Sequence, residues 1–253
     1  MNEAAITLRN VSRRFRVIEY GDCSRVRDGA FYALNNISLD IKKGETAIIA
    51  GANGSGKSVL MSIIARLDDA SSGSVEVHEK TGLVFQDADS QIIGESARED
   101  VLIGLSAQRG YGGGAGKQRA AELVEEALRK AGLLEKADFP ARFLSGGEKR
   151  RLAVAGVIAM NAGIIIFDEP YANLDYPGVI QINTLIEKLR EEGKTIIILT
   201  HELEKCFGFA NVFIVLYKGE VVFAGKPEAA LELDLEAWGV RGPLSEKNGL
   251  IWK

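Results

Sequence analysis

The sequence predicts an α/β fold with a mainly parallel core sheet, an N-terminal antiparallel β lobe and a helical lobe. Apolar runs at 45–50, 163–167 and 194–199 are separated by segments of helical spacing, as in parallel strands joined by crossover helices. Period-2 alternation over 33–41 indicates a strand of the β lobe. Apolar residues recur at helical spacing between 95 and 131, which predicts the helical lobe.

The predicted elements follow one another in a regular order. They are strands at 5–10, 33–41 and 45–50, a helix at 59–65, strands at 74–78 and 81–85, helices at 95–105, 117–131 and 148–160, a strand at 163–167, a helix at 178–192 and a strand at 194–199. The polar segment 16–31 contains several turn-forming residues, so we expect an exposed loop or hairpin there. The glycine-rich segment 110–116 disfavours a regular helix, so we expect a flexible seam.

The length of 253 residues suits one domain with two lobes. We expect a single domain over 1–253, in which 1–92 and 161–230 form the core with its β lobe. Residues 93–160 would form the helical subdomain, and 231–253 a short C-terminal extension.

Composition excludes several classes of function. The net charge is −4 and no long Lys/Arg cluster is present, which argues against nucleic acid as a partner. The longest uncharged apolar stretch, 152–167, is interrupted by Asn161 and Gly163 and is too short to span a membrane. No signal-like segment opens the sequence, so we expect a cytoplasmic location in which Cys23 and Cys206 stay reduced.

The segment Gly51-Ala-Asn-Gly-Ser-Gly-Lys-Ser58 fits the phosphate-loop pattern Gly-x-x-x-x-Gly-Lys-Ser/Thr, and it lies between a predicted buried strand and a predicted helix. Glycines allow backbone N–H groups to approach phosphate oxygens closely. Lys57 would reach the β and γ phosphates, and Ser58 would bind Mg²⁺. The predicted nucleotide-binding residues of this segment are Gly51, Asn53, Gly54, Ser55, Gly56, Lys57, Ser58 and Val59.

Acidic residues and a histidine follow two of the predicted apolar strands. Asp168 and Glu169 come directly after the strand at 163–167, and His201 follows the strand at 194–199. Parallel strands bring their carboxyl ends to one edge, where ligands bind. Asp168 would orient Mg²⁺ and Glu169 would polarise the attacking water. We expect His201 to contact the γ-phosphate or Glu169.

Gln86 lies where the strand at 81–85 gives way to the polar run Gln86-Asp-Ala-Asp-Ser. Its side-chain carbonyl can coordinate Mg²⁺, and its amide can hydrogen-bond water. Because Gln86 lies at a strand-to-loop hinge, loss of the phosphate would shift it and so affect the helical lobe.

A second glycine-led turn opens the predicted helix at 148–160. Ser145, Gly146, Gly147 and Glu148 place backbone N–H groups at the positive end of that helix, which suits an anionic γ-phosphate. Ordinary helix capping by Ser145 is the alternative. Capping explains the serine, but it does not explain the paired glycines.

These motifs together resemble those of the ATP-binding cassette ATPases. The matching residues are Gly51 to Ser58, Gln86, Leu144 to Arg151, Ile164 to Glu169, Asn173-Leu-Asp175 and His201, in the family's order and spacing over nearly the whole chain. The resemblance implies a P-loop NTPase cassette that binds ATP with Mg²⁺. It also implies a head-to-tail dimer in which Ser145, Gly146, Gly147 and Glu148 act on the partner's nucleotide and Asp175 faces the dimer interface.

The same resemblance implies an aromatic side chain stacked on adenine. Phe15 aligns with that position, but the segment before Ala33 is longer than usual in the family, so Phe31 or Tyr32 could take its place. Tyr171-Ala-Asn173 replaces a commoner pair of small residues before Leu174 and would tune communication between the two sites.

A narrower resemblance is to the ATPases of energy-coupling factor importers. It lies in Val84-Phe-Gln-Asp-Ala-Asp-Ser-Gln91, in Glu99-Asp-Val-Leu-Ile-Gly-Leu105 and in the segment 219–228. It implies an ATPase that powers uptake of a vitamin or transition-metal ion from the cytoplasmic face of the membrane. The implied partners are a second ATPase, identical or not, a transmembrane coupling subunit and a separate substrate-binding membrane protein. Alternatives are the ATPase of another cassette transporter class or a soluble non-transport ATPase.

Overall fold

The computed structural model describes residues 3–16, 25–27, 29–106 and 114–242. The strands are β1 (Ala4–Arg16), β2 (Val26–Arg27), β3 (Ala30–Lys42), β4 (Thr46–Ala50), β5 (Ser72–Val77), β6 (Thr81–Val84), β7 (Ile164–Asp168), β8 (Thr195–Leu199), β9 (Val212–Tyr217) and β10 (Glu220–Gly225). The α-helices are α1 (Lys57–Ile64), α2 (Ala97–Ser106), α3 (Gly114–Lys130), α4 (Gly146–Ala159), α5 (Tyr176–Glu191) and α6 (Pro227–Ala230).

The core sheet has six strands in the order β10-β9-β4-β8-β7-β6. Every neighbouring pair from β9 to β6 is parallel, and only the edge strand β10 pairs antiparallel. All five residues of β4 and of β8 are buried, as expected for parallel strands covered on both faces. The predicted, mainly parallel core sheet is therefore confirmed.

A second sheet has the order β2-β3-β1-β5 and is antiparallel throughout. The second half of β3 alternates between buried and exposed residues, since one face packs on the core. In β1 this alternation is interrupted, and its pairing with β3 contains several register shifts. The predicted antiparallel β lobe is confirmed.

Three hydrophobic clusters fill the molecule. One lies between the core sheet and the helices α4 and α5, and it includes the buried side chains of Phe167, Tyr171 and Phe213. The second joins the other face of the core sheet to α1 and to the β lobe. The third is formed by α2, α3, α4 and the turns between them, so the helical segment has a core of its own.

Two predicted helix starts were wrong, and two strands were missed. The helix predicted to follow the glycine seam begins at Gly114, so Gly114 and Gly116 are helical, and residues 107–113 lie outside the described ranges. The helix predicted over 148–160 begins at Gly146, because Ser145 caps it. The strands β9 and β10 were not predicted, although β9 has a continuous apolar run.

Some predictions fall on residues that the structure does not describe. Residues 17–24 and 28 of the segment 16–31 are among them, as are Cys23 and the end of the C-terminal extension from 243 onward. Cys206 is buried with a free thiol, and burial raises the pKa of that thiol. Among the described residues, none of the helices combines the length and the apolar character that crossing a membrane requires.

Candidate functional site

The phosphate loop joins the carboxyl end of β4 to the start of α1. Gly51 packs so closely that an added Cβ would lie 2.3 Å from the backbone oxygen of Leu216. Gly56 has φ of +110°, and a Cβ there would lie 2.7 Å from the backbone oxygen of Ala33. Both positions therefore require glycine for reasons within the chain. The loop leads into the first turn of α1, whose N–H groups have no side-chain cap.

Lys57 extends across this loop. Its Nζ donates to the backbone oxygen of Gly51 at 2.6 Å and to that of Ala52 at 3.3 Å. Burial lowers the pKa of the ammonium group, and the carboxylates of Glu169 and Asp168 oppose that shift. The cation is thus held at the loop with two carboxylates nearby.

Asp168 is the last residue of β7 and Glu169 follows it, at the same edge of the core sheet. Burial raises the pKa of the Asp168 carboxyl, the charge of Glu169 raises it further, and Lys57 acts in the opposite direction. Glu169 is 8% exposed and has φ of +45°, which is uncommon for a residue other than glycine. Its backbone N–H donates to the oxygen of Leu199 at 2.8 Å, which ties this strained residue to β8.

His201 contacts Glu169 directly. Its Nδ1 lies 2.9 Å from Oε1 of Glu169, and its backbone N–H donates to Oε2 at 3.4 Å. The imidazole side chain is 67% exposed, whereas that of Glu169 is 10% exposed. Of the two predicted contacts of His201, the described residues supply the one to Glu169. Such a pair can hold a carboxylate in a fixed orientation toward a water molecule.

A cleft of about 300 Å³ opens beside the phosphate loop. Predicted site residues that line it are Phe15, Asn53, Gly54, Ser55, Gly56, Lys57, Ser58, Val59, Gln86, Asp168 and Glu169. Gly51 lies behind the loop instead, against Leu216. The loop, the acids and Gln86 therefore share one cavity, as their positions after neighbouring strands predict.

The donor groups of the cleft fit Mg²⁺. Ser58, Gln86 and Asp168 offer a hydroxyl, an amide carbonyl and a carboxylate, which are the oxygen ligands that this ion prefers. Among the described residues, no three His, Cys, Asp or Glu side chains are grouped closely enough to hold a metal. Mg²⁺ commonly takes one or two carboxylates and completes its shell with water and phosphate oxygens, so this set is sufficient.

Both phenylalanines considered for adenine stacking line the cleft. Phe15 of β1 and Phe31 of β3 are directly opposed in the antiparallel register, so they lie on the same face of the sheet. Phe15 is 42% exposed, with the guanidinium of Arg13 4.8 Å from its ring centroid. Tyr32 lines a different cavity, because neighbouring strand residues point to opposite faces.

Arg25 also lines this cleft and was not predicted from the sequence. Its Nη1 donates to the backbone oxygen of Gly54 at 2.5 Å, and its Nε and Nη2 donate to the oxygens of Tyr32 at 2.9 Å and Ala33 at 2.6 Å. The guanidinium lies 4.6 Å from the ring centroid of Phe31. Arg25 thus fastens the phosphate loop to β3, and no local sequence pattern indicated this contact.

The start of α4 has a complete capping box. Ser145 Oγ accepts from the backbone N–H of Glu148 at 3.3 Å, and Glu148 Oε2 accepts from the N–H of Ser145 at 2.9 Å. A Cβ added at Gly146 would meet nothing within 4 Å, and one at Gly147 would meet only Leu174, at 3.8 Å. Capping therefore explains Ser145 and Glu148, whereas contacts inside the described chain do not explain the two glycines.

The predicted signature residues Ser145 to Glu148 do not line the phosphate-loop cleft of their own chain, as far as the described residues define it. Gly146 lines a separate cavity with Asp89 and Lys149. Asp175 is exposed, and its carboxylate caps α5 by accepting from the N–H of Gly178 at 3.0 Å. Tyr171 is fully buried and donates to Oδ1 of Asn183 at 2.9 Å, so it has a role in the core.

The family model described as "ABC transporter" matches residues 34–172 of the chain. That span runs from β3 through the phosphate loop, the signature turn and both acids. The chain belongs to the ATP-binding cassette family.

Relatives of this cassette carry energy-coupling factor names. The chain is 35% identical over 229 residues to the "Energy-coupling factor transporter ATP-binding protein EcfA2" of Methanospirillum hungatei, covering 85% of this chain and 56% of that relative. It therefore spans only about half of that protein. It is also 35% identical over 242 residues to EcfA1 of Clostridium novyi, covering 90% of this chain and 81% of the relative.

Solved structures agree with this assignment. The cassette superimposes on cbiO1 from Clostridium perfringens, described as part of the ABC transporter complex cbiONQ, with a TM-score of 0.75, 30% identity and 90% of each chain covered. The dimeric cassette MJ0796 in a post-hydrolysis state with ADP and Pi gives a TM-score of 0.73 at 30% identity, covering 88% of this chain and 98% of that one. The chain is accordingly an ATP-binding cassette ATPase.

Proposed function

We propose that this cassette is the ATP-hydrolysing subunit of an energy-coupling factor importer that takes up a vitamin or a transition-metal ion. The supporting observation is the set of relatives with energy-coupling factor names, which are 34–37% identical to the chain over most of its length. The ATPase selects no solute in this proposal. That choice belongs to a separate membrane protein.

In the proposed reaction, the loop from Gly51 to Ser58 binds the phosphates of ATP through its backbone N–H groups. Lys57 neutralises charge on the β and γ phosphates, because its ammonium has three N–H donors and only two are directed at the oxygens of Gly51 and Ala52. Phe15, or Phe31 opposite it, stacks on adenine.

Glu169 and His201 act together on the attacking water. Glu169 orients and polarises the water in line with the γ-phosphate, and the contact of 2.9 Å with His201 keeps the carboxylate turned toward the cleft. Ser58, Gln86 and Asp168 would hold Mg²⁺, which when bound supplies positive charge that stabilises the phosphoryl group in the transition state. Gln86 lies next to the helical segment, so a shift of Gln86 on loss of the γ-phosphate would be transmitted to that segment.

The proposed assembly is a head-to-tail dimer with a second ATPase, identical or not. Its signature residues Ser145, Gly146, Gly147 and Glu148 would face the partner's nucleotide, and Asp175 would lie at the interface. The open surface at Gly146 supports this arrangement, because nothing inside the described chain occupies that space. The helical subdomain 93–160 would then move against the rest of the domain, which comprises 1–92 and 161–230. Residues 231–253 would form a short extension of that larger part.

The remaining proposed partners are a transmembrane coupling subunit and a substrate-binding membrane protein, without nucleic acid. The ATPase would be peripheral, at the cytoplasmic face of the membrane. Affinity purification of the tagged chain from detergent-solubilised membranes, followed by mass spectrometry, tests this assembly. We expect an integral coupling subunit and a small integral binding protein to copurify. Recovery of a ribosomal or DNA complex without an integral protein would contradict the proposal.

The ATPase of another cassette transporter class is a second candidate. Its basis is that MJ0796, described as a bacterial ABC transporter cassette with no mention of an energy-coupling factor, resembles the chain about as much as cbiO1 does, at 32% identity and a TM-score of 0.71. The same purification separates the two candidates. A permease pair with a soluble solute-binding protein, or an exporter, would indicate this second class.

A further inference from the structure

Arg150 is a buried cation that the proposed reaction leaves without a role. It lies in the second turn of α4 and is 5% exposed. Burial lowers the pKa of its guanidinium, and the charges of Glu202 and Asp87 oppose that shift. A charge placed this deeply requires compensating hydrogen bonds.

Those hydrogen bonds go to backbone oxygens of two other segments. Nη1 of Arg150 donates to the oxygen of Glu169 at 3.1 Å and to that of Pro170 at 2.5 Å. Nη2 donates to the oxygen of Gln86 at 2.6 Å. Nε has no hydrogen-bond partner among the described residues. One side chain of α4 therefore connects the backbone of the acid-bearing turn to that of the Gln86 segment.

The acid-bearing turn needs external support. Glu169 has φ of +45°, a backbone conformation that is unfavourable for a residue other than glycine and persists only where its surroundings impose it. On one side, its N–H is bonded to Leu199 of β8. On the other side, its carbonyl is bonded to Arg150. Hydrogen bonds from a charged donor are stronger than neutral ones, so Arg150 is well suited to hold this turn.

We propose that Arg150 is a positioning residue that couples the Ser145–Gly147 end of α4 to the carboxylate of Glu169 and to the Gln86 segment of the same chain. Arg150 lies three residues beyond Gly147 on the same rigid helix. A displacement of the N-terminal end of α4, the signature end at Ser145–Gly147, therefore moves the guanidinium of Arg150. This inference rests on the proposed dimer, in which the signature end faces the partner's nucleotide. ATP bound at one nucleotide site of the dimer would then align Glu169 at the other site.

The test compares Arg150→Met, Arg150→Lys and a control, Lys80→Met, in the complex purified through the tagged chain. Lys80 donates to the backbone oxygen of Met160 at the opposite end of α4, at 3.1 Å, so the control also removes a cation from a carbonyl of this helix region. Initial rates of phosphate release give kcat and KM for Mg-ATP.

We expect Arg150→Met to lower kcat at least about tenfold and to change KM less than about threefold, because the residue acts on the alignment of Glu169 and does not contact the phosphate loop. Arg150→Lys keeps the charge but cannot reach all three oxygens, so it should restore part of kcat. Lys80→Met should turn over like wild type.

Hydrogen–deuterium exchange distinguishes a positioning role of Arg150 from a general contribution to the stability of the fold. In wild type, Mg-ATP should protect residues 51–58 together with 86–89 and 169–172. In Arg150→Met, protection of 51–58 should persist while protection of the other two segments is lost. Faster exchange throughout the chain would mean that Arg150 only stabilises the fold, and this would overturn the inference.

Failure of the inference differs from failure of the proposed function. A variant Arg150→Met with wild-type kcat, or with wild-type protection of 169–172, overturns the inference and leaves the ATPase intact. A wild-type chain that copurifies with no second ATPase and shows no ATP turnover removes the proposed function, and the inference falls with it.

Discussion

Replacement of the acid that follows β7, Glu169→Gln, tests the proposed chemistry most directly. The amide has nearly the same shape as the carboxylate, and its oxygen can still accept a hydrogen bond from Nδ1 of His201, which lies 2.9 Å from Oε1 of Glu169. Only the long hydrogen bond of 3.4 Å from the backbone N–H of His201 to Oε2 would be lost, because an NH2 group cannot accept it. The turn at Glu169 is held through backbone groups, which the substitution leaves unchanged. The variant therefore removes the base while it keeps the geometry.

The expected loss of rate equals the contribution of general base catalysis, because the substitution removes little else. General base catalysis contributes about 10²–10⁴-fold, or about 3–5 kcal/mol of barrier, so kcat should fall by that factor. ATP binding should remain, since Lys57 and the loop N–H groups are untouched. With hydrolysis blocked, size-exclusion chromatography with Mg-ATP should show a stable dimer.

A matched control is Glu45→Gln. Glu45 is also partly buried, but it precedes β4 at the opposite end of the core sheet, where its carboxylate accepts from the backbone N–H of Lys42 at 3.0 Å. This variant should hydrolyse ATP like wild type. Turnover in Glu169→Gln within threefold of wild type would refute the assignment of Glu169 as the base.

Three further predictions follow from the site. Arg25→Ala should raise the Kd for Mg-ATP roughly tenfold in calorimetry, because it removes a charged hydrogen bond to the loop worth about 1.5 kcal/mol, whereas Arg27→Ala should leave Kd unchanged. Asp168→Asn should raise Tm more at pH 7 than at pH 3. The pKa of this carboxyl is raised above 3.8 in the folded chain, so the ionised carboxylate destabilises the folded state at pH 7. At a pH below the pKa of the unfolded chain, the carboxyl is protonated in both states and this cost is absent. Gly146→Ala and Gly156→Ala add a methyl group where nothing lies within 4 Å, so both should keep Tm, but only Gly146→Ala should lose ATPase activity.

The sequence was sufficient to predict the parts of the site that follow strands. The phosphate loop, Asp168, Glu169 and His201 each come directly after an apolar run, and parallel pairing necessarily collects such positions at one edge. The roles of Arg25 and Arg150 could not be read in the same way. Each donates mainly to backbone oxygens, which every residue carries, so no partner residue type reveals the contact.

The choice between aromatic residues shows a similar limit. Alternation along β3 separates Phe31 from Tyr32, but only the register with β1 brings Phe31 opposite Phe15. That register contains several shifts, which a sequence pattern with strict period 2 does not predict.

Strand order gives His201 its position. In the core sheet β8 lies between β4 and β7, so the residue that follows β8 must lie between the phosphate loop and the acid turn. The other histidine, His78, is exposed, and its Nε2 lies 3.8 Å from Oε2 of the exposed Glu76 of β5. The contact of His201 with Glu169 and the hydrogen bond from Glu169 to Leu199 both depend on the pairing of β7 with β8, and the carbonyl of Glu169 is bonded to Arg150 of α4. In the proposed coupling, hydrolysis would therefore be controlled from the helical segment, although none of the described residues of that segment lines the phosphate-loop cleft.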